Sequence, residues 1–438
     1  MKTPKTRERV VITGMGIVCP LGNSVEAMWQ AILAGRSGVG RTTIFDASTF
    51  PTTFDAEVKG YNLADSVSDC RRHTACNRGA GFAVGAAAQA CRQAGIDIQT
   101  TEPRDGIQRA RMGIYLGAGE GSLDYDAFFG CIIAGWNAQE QRMAWDRLNA
   151  SAAKHLNAAH ELEQEPNMAV AHIAALTGAR GPARSCLTAC AASTQAVGEA
   201  MMMIRWGRAD VVIAGGAHSM IHPLGITGFN RLTALSTRND SPQTASRPFC
   251  VSRDGFVIGE GAAIVVLESL SSAQRRGAGI LAEVVGYGAS SDAFRITDMH
   301  ETGRGPVQAM RAAMADAGLT TRDIDYINAH GTSTQENDSI ETLAIKTVFG
   351  ERAKQVPASS VKSMLGHLIG AAGAAELITC ILAIRDNIVP PTINLVDPDP
   401  KLDLDYVPNT ARRMPVNVVM NESFGFGGQN NVVILRRL

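Results

Sequence analysis

Val10-Val11-Ile12-Thr13-Gly14-Met15-Gly16, a β-branched run broken by two glycines, has an echo in Leu281-Ala282-Glu283-Val284-Val285-Gly286-Tyr287-Gly288. Each copy reads as a strand ending in a glycine turn, and each is followed by an alanine-rich helical region. The repetition predicts two halves of similar build. Their join falls near Gly277 to Gly279, giving an N-terminal half over residues 1–277 and a C-terminal half over 278–438.

Outward from these two stretches, short apolar runs alternate with helical ones, which predicts an α/β fold with buried strands covered by helices. Strands are expected at Val10 to Thr13, Met112 to Leu116, Val211 to Ala214, Ala262 to Leu267, Tyr326 to Asn328 and Val432 to Leu435. Helices are expected at Phe82 to Ala94, Ala191 to Trp206, Gly305 to Ala317, Asp338 to Val348 and Gly370 to Arg385. The charged stretch Ala138 to Gln164, with Trp136 and Trp145 at its start, reads as an inserted helical excursion.

The 438 residues are 45% hydrophobic, enough for a large core. Lys and Arg number 41 against 42 Asp and Glu, a balance that gives no reason to expect nucleic acid or an anionic membrane as partner. Nine cysteines lie scattered without disulfide or zinc spacing, which suits a reducing cytoplasm. The polar start lacks a signal-peptide core, and no apolar run is long enough to span a bilayer.

Chemistry concentrates in three segments. In Arg184-Ser185-Cys186-Leu187-Thr188-Ala189-Cys190-Ala191-Ala192-Ser193 a short strand gives way to a helix start, where the helix dipole and free N–H groups favour a thiolate at Cys190. Cys190 is a candidate nucleophile, and its own N–H a candidate oxyanion donor. Cys186, on the strand, reads as structural. Asn328-Ala329-His330-Gly331-Thr332-Ser333-Thr334 and Lys362-Ser363-Met364-Leu365-Gly366-His367 each put an imidazole beside glycine. The other seven histidines, at 73, 155, 160, 172, 218, 222 and 300, read as structural. The glycine-laced loop Asn421-Glu422-Ser423-Phe424-Gly425-Phe426-Gly427-Gly428 carries two aromatics that its glycines would let swing.

Together these segments resemble the β-ketoacyl-acyl-carrier-protein synthases, above all the type II elongating enzymes. The likeness extends to Ala234-Leu235-Ser236-Thr237-Arg238-Asn239-Asp240, Ser246-Arg247-Pro248-Phe249, Arg253-Asp254-Gly255-Phe256-Val257 and Pro390-Pro391-Thr392-Ile393-Asn394. It implies a thiolase-type fold, two similar halves each with a mixed five-stranded sheet between helices, paired as a homodimer or with a related subunit.

By the same resemblance Cys190 is the acyl-accepting nucleophile, His330 and His367 assist malonyl decarboxylation, and Lys362 is the active-site lysine. Lys362 is expected to pair with Glu376, with Asp338 and Glu341 in support. The N–H groups of Cys190 and Phe426 match an oxyanion hole, and Thr332 and Thr334 match contacts to phosphopantetheine. Phe426 is the implied gate of an acyl pocket shared with Phe424, Phe229 and Glu120. No metal or redox cofactor is implied, since the phosphopantetheine arrives on the acyl carrier protein, whose docking would use Arg71, Arg72 and Arg231.

Glu120, in Gly117-Ala118-Gly119-Glu120-Gly121-Ser122, stands where those enzymes carry an apolar residue. Either the tunnel is shortened or polar there, or the loop turns the carboxylate elsewhere. Gln335-Glu336-Asn337 also departs from the family's Pro-containing stretch.

Three rival readings carry less. A non-catalytic chain-length-factor partner would not need Cys190, His330, His367 and Lys362. A thiolase would need a second, late cysteine in a glycine-flanked motif, which neither Cys250 nor Cys380 supplies. A nucleotide-binding oxidoreductase would need a third glycine after Thr13-Gly14-Met15-Gly16.

Overall fold

The computed structural model describes residues 7–121 and 124–438. Ser122 and residues 1–6, read above, lie outside that range.

Ten strands form one mixed sheet. In chain order they are β1 (Val10–Val18), β2 (Met112–Gly117), β3 (Ala183–Cys186), β4 (Val211–His218) and β5 (Gly261–Ser269). The series continues with β6 (Ala282–Ser291), β7 (Tyr326–Asn328), β8 (Ala358–Ser359), β9 (Val418–Gly425) and β10 (Gln429–Arg436). Across the sheet they run β8-β7-β9-β10-β6-β1-β5-β4-β2-β3. Reading outward from the centre, β1-β5-β4-β2-β3 and β6-β10-β9-β7-β8 are the same path taken twice.

Orientation repeats as well. The outer pairs β2–β3 and β7–β8 are parallel, as are β2–β4 and β7–β9, while the inner pairs are antiparallel. At the centre the two stretches that opened the sequence reading meet: Val10 faces Val284 and Ile12 faces Ala282, antiparallel. The two five-strand groups are thus joined edge to edge into one ladder.

Five helices set the layers. α1 (Arg78–Ala94) lies on β1 and β5, as α3 (Arg304–Ala317) lies on β6 and β10. The strand glycines explain how closely these helices sit. A Cβ on Gly16 would come within 2.1 Å of the Ala86 carbonyl oxygen, and one on Gly288 within 2.1 Å of the Ala309 carbonyl oxygen. Only glycine opposite alanine lets strand and helix backbones touch.

α2 (Ala192–Arg205) and α5 (Ala372–Asp386) pack on each other and on strands of both groups, forming a middle layer. α5 is buried except at its last two residues, which accounts for its apolar residues on every face. α4 (Gln335–Phe349) starts three residues ahead of the sequence expectation because the Thr334 side chain caps it, accepting from the Asn337 N–H. The excursion is a two-residue hairpin, Trp136–Asn137 with Arg142–Met143, followed by helices Trp145–His155 and Ala158–Leu162. No helix among the described residues is long and apolar enough to cross a membrane.

Candidate active site

The candidate catalytic side chains sit at the carboxyl ends of parallel strands, where an α/β sheet leaves its crevice. Cys190 follows β3 in a 3₁₀ turn, Ala189–Ala191, that leads into α2. His330 stands two residues beyond β7, and His367 lies between the short helix Lys362–Leu365 and the turn Ile369–Ala371 that opens α5. The cysteine therefore comes from the first half and both imidazoles from the second.

One atom from each of Cys190, His330 and His367, the sulfur and a ring nitrogen apiece, lies within 4.8 Å of the others. All three line a cavity of about 250 Å³, together with Thr332, Thr334, Phe424 and Phe426.

Backbone bonds fix the arrangement. The His367 N–H donates to the Val257 carbonyl at 2.7 Å, and its own carbonyl accepts from the Gly259 N–H at 2.9 Å. Glu341 accepts the N–H of His330 at 2.6 Å and of Gly331 at 2.8 Å, bridging both amides with one carboxylate. Asp338 accepts the N–H of Phe249 at 2.8 Å and of Ser333 at 3.2 Å. Gly425 lets the aromatic loop approach the sulfur, since a Cβ there would be 3.1 Å from the Cys190 nitrogen and 2.9 Å from the Thr188 oxygen.

Lys362 is fully buried, bonded to Glu376, and donates to the His330 carbonyl oxygen at 2.6 Å. Its Nζ is also 3.2 Å from His330 Nδ1. An ammonium has only donors, so Nδ1 must accept and the ring proton of His330 belongs on Nε2. His367 is buried with both ring nitrogens free of hydrogen bonds among the described residues, and its ring stands edge-on to Phe256 at 5.2 Å.

Burial governs the charges. Desolvation, with Lys362 adding to it, holds both imidazoles well below the usual histidine range, so both are neutral donors. The sequence expectation of a stabilised thiolate gives way for the same reason. Desolvation pushes the Cys190 thiol up to about 11, although Lys362 and the N–H groups of Phe426 and Cys190 act in the opposite direction. The residue sits in a closed 3₁₀ turn, and a dipole's half charge does not offset removal from water. Desolvation also raises Glu376 and Glu341, each to about 7.

Three ligand atoms so close together could hold a metal ion, but the Lys362 ammonium beside His330 puts a fixed positive charge against one.

Among the other expected residues, Thr332 and Thr334 hydroxyls lie 3.0 Å apart on the cavity wall. Phe229, on the helix Pro223–Arg231, packs with Cys190, Ile221, Ile226 and Ile369 in one apolar cluster and meets Phe256 edge-on at 5.4 Å. Glu120 is the exception: its side chain is 74% exposed and lines a second, small cavity with His218. The loop has turned it out of the main cavity, the cheaper outcome for a carboxylate. Of the docking arginines, Arg231 precedes the lining residues Leu232 and Thr233, while Arg71 is exposed and paired with Asp69.

Phe256, Asp254 and Asn337 line the cavity though the sequence reading gave them no role, and the fully buried Glu422 was likewise given none.

Residues 7–273 match the family model described as Beta-ketoacyl synthase, N-terminal domain, and residues 281–396 its C-terminal domain. The chain belongs to the β-ketoacyl synthase family. Its relatives include 3-oxoacyl-[acyl-carrier-protein] synthase 2 of Coxiella burnetii, 43% identical over 99% of both chains, and that of Vibrio harveyi, 41% identical over the same shares. Among solved structures, a β-ketoacyl synthase from Burkholderia phymatum superposes with TM-score 0.87 at 35% identity, covering 98% of this chain and all of that one. A type II PKS ketosynthase solved with its acyl-carrier protein gives 0.86 at 33%, covering 99% of this chain and all of that one. The fold of this β-ketoacyl synthase family member is accordingly of the thiolase type.

Proposed function

We propose that the protein is a β-ketoacyl-acyl-carrier-protein synthase, condensing an acyl group held on Cys190 with malonyl carrier. The observation that carries this reading is the convergence of one sulfur and two neutral imidazoles, within 4.8 Å, on a single cavity.

The thiol of Cys190 attacks the acyl-carrier thioester, the C–S bond to the carrier breaks, and the thiol proton leaves on the carrier's phosphopantetheine sulfur. The N–H groups of Cys190 and Phe426, which favour negative charge at the Cys190 side chain, suit the oxyanion of that tetrahedral intermediate. Malonyl carrier then enters past Thr332 and Thr334. Its bond to the carboxylate breaks, carbon dioxide departs, and the electron pair is delocalised onto the thioester oxygen as an enolate. His330, with its proton on Nε2, and His367 donate to that oxygen. The enolate carbon attacks the acyl carbon, the bond to Cys190 breaks, and the cysteine takes up a proton.

In this reading residues 1–277 bring the nucleophile and residues 278–438 the imidazoles. Phe426 gates the acyl pocket, Phe424 and Phe229 wall it, and Lys362, Glu376, Asp338 and Glu341 hold the histidines in place. The macromolecular partners are an acyl carrier protein and a second copy of the chain. The free outer edge of β3, with Ala183 and Arg184 exposed, offers that copy a strand to pair with. All nine cysteines are free, in keeping with a reducing cytoplasm.

The test is to load the protein with acyl carriers of graded length and locate the adduct by mass spectrometry. Label on Cys190, and a ketoacyl product once malonyl carrier is added, are expected. Condensation by a Cys190→Ala variant would remove the reading.

A further inference from the structure

An amide on the wall of the Cys190 cavity is held in one orientation by the groups behind it. Asn337, in the first turn of α4, lines the cavity and is 8% exposed. Its Nδ2 donates to Asp338 Oδ1 and to Glu341 Oε2, each at 3.2 Å. Those two oxygens also accept backbone N–H groups, from Ser333 and Gly331, so they are acceptors and the nitrogen of the amide belongs beside them. The other end, Oδ1, makes no hydrogen bond among the described residues and is the polar atom left for the cavity.

Two hydroxyls of the same wall are tied to this turn. Thr334 Oγ1 accepts from the Asn337 N–H at 3.2 Å, and Thr332 Oγ1 accepts from the Thr334 N–H at 3.4 Å. The two oxygens are 3.0 Å apart and share one hydrogen between them, which leaves the second O–H to donate elsewhere.

The charged groups on the wall are of one sign. Asp254, Asp298 and Glu336 line the cavity, and among its described lining residues there is no lysine or arginine. Such a wall disfavours an anion and suits an uncharged chain that brings N–H groups of its own. Between its phosphate and its sulfur the phosphopantetheine arm is a chain of that kind, with secondary amides that each have an N–H to give and a carbonyl to satisfy. A secondary amide drawn into the cavity needs one acceptor and one donor. Asn337 Oδ1 is free to be the first, and the threonine pair has an O–H left to be the second.

We propose that Asn337 Oδ1 accepts the N–H of a secondary amide of the phosphopantetheine arm, while the threonine pair donates to a carbonyl of the arm. This rests on the synthase reading above and adds to it a residue that recognises the arm by its amide hydrogen. An arm whose amide nitrogens carry methyl groups leaves Oδ1 without a donor, which is how a polar site rejects an analogue that lacks the matching group.

The experiment uses protein loaded with octanoyl on Cys190 and reads kcat/KM for two malonyl donors, malonyl-pantetheine and its analogue methylated on both amide nitrogens. On the unmodified protein the methylated donor should be poorer by about tenfold. Asn337→Ala should bring the two donors level, with the loss falling on malonyl-pantetheine. Asn337→Leu, close to asparagine in shape and without a polar atom, should do the same and stands in if the alanine variant folds poorly. The two donors are compared on each protein separately, so a general loss of rate cancels, as does any crowding by the methyl groups. Equal use of both donors by the unmodified protein overturns the proposal, as does a gap that survives in the variants. If octanoyl does not label Cys190, the synthase reading has failed instead.

Discussion

Lys362 Nζ donates to the backbone oxygen of His330 at 2.6 Å while lying 3.2 Å from the Nδ1 of the same residue. One ammonium thereby fixes both the position of the imidazole and which of its nitrogens carries the proton. In a Lys362→Met variant the lock is gone, and nitrogen NMR of the His330 ring should show a mixture of tautomers in place of Nε2–H alone. Unfolding in urea should cost that variant about 3–5 kcal/mol of stability, because Glu376 is left buried without its partner. Replacing both Lys362 and Glu376 by Met should cost less than the sum of the two single changes.

The neutral imidazoles give a pH signature. The folded protein holds His367 well below the ordinary value of 6.5, so on acidification the unfolded chain takes up a proton that the folded one refuses. That costs stability as pH falls through 6.5, by up to about 1.4 kcal/mol per pH unit. Glu376 and Glu341, raised to about 7 from 4.5, act in the opposite sense across that range, so the histidine's share is read by difference. Relative to the unmodified protein, His367→Asn should gain stability between pH 7.5 and pH 5.5 in urea titrations, at about that rate below 6.5. An unchanged difference would mean that His367 takes up its proton in the fold as readily as in the unfolded chain.

Glu422 offers a third measurement. It is fully buried on β9, neither of its oxygens has a hydrogen bond among the described residues, and desolvation and Glu341 hold its carboxyl well above the ordinary value of 4.5. The folded protein keeps a proton there that the unfolded chain releases, so stability is lost as pH rises beyond 4.5. Gln has the shape of the protonated acid and no proton to release. Glu422→Gln should therefore be more stable than the unmodified protein at pH 8, with the advantage shrinking toward pH 5, as followed by thermal unfolding.

At the centre of the sheet, Gly16→Ala should destabilise by about 3 kcal/mol or more in urea unfolding, since the added carbon meets the backbone oxygen of Ala86 at 2.1 Å and backbone cannot step aside. Gly277→Ala, where nothing lies within 4 Å, is the control, and its left-handed φ of 68° makes it cost only about 1 kcal/mol.

Much of this was legible in the sequence. The β-branched runs at Val10, Val211, Ala262 and Val432 announce strands because such residues fit only a pleated, buried surface, and the glycine-for-contact pattern is written twice. Two-residue β8, Ala358–Ser359, has no such pattern, since it exists only through its neighbour β7. Cys190 and its two histidines stood out by their glycine and alanine flanks, which leave room for a ligand. The state of the thiol was misread because burial is a property of the packed molecule and a helix start is a property of the chain.

The doubled path of the sheet has a consequence for how the molecule came to hold its chemistry. Each five-strand group repeats the other's route, yet the sulfur stands on one and the imidazoles on the other. On the proposed mechanism neither repeat alone would be a lesser version of the enzyme, because each would own only part of the reagent set. A chain severed between residues 277 and 281 should give two inert pieces whose mixture regains turnover only to the extent that Val10 and Val284 find each other again.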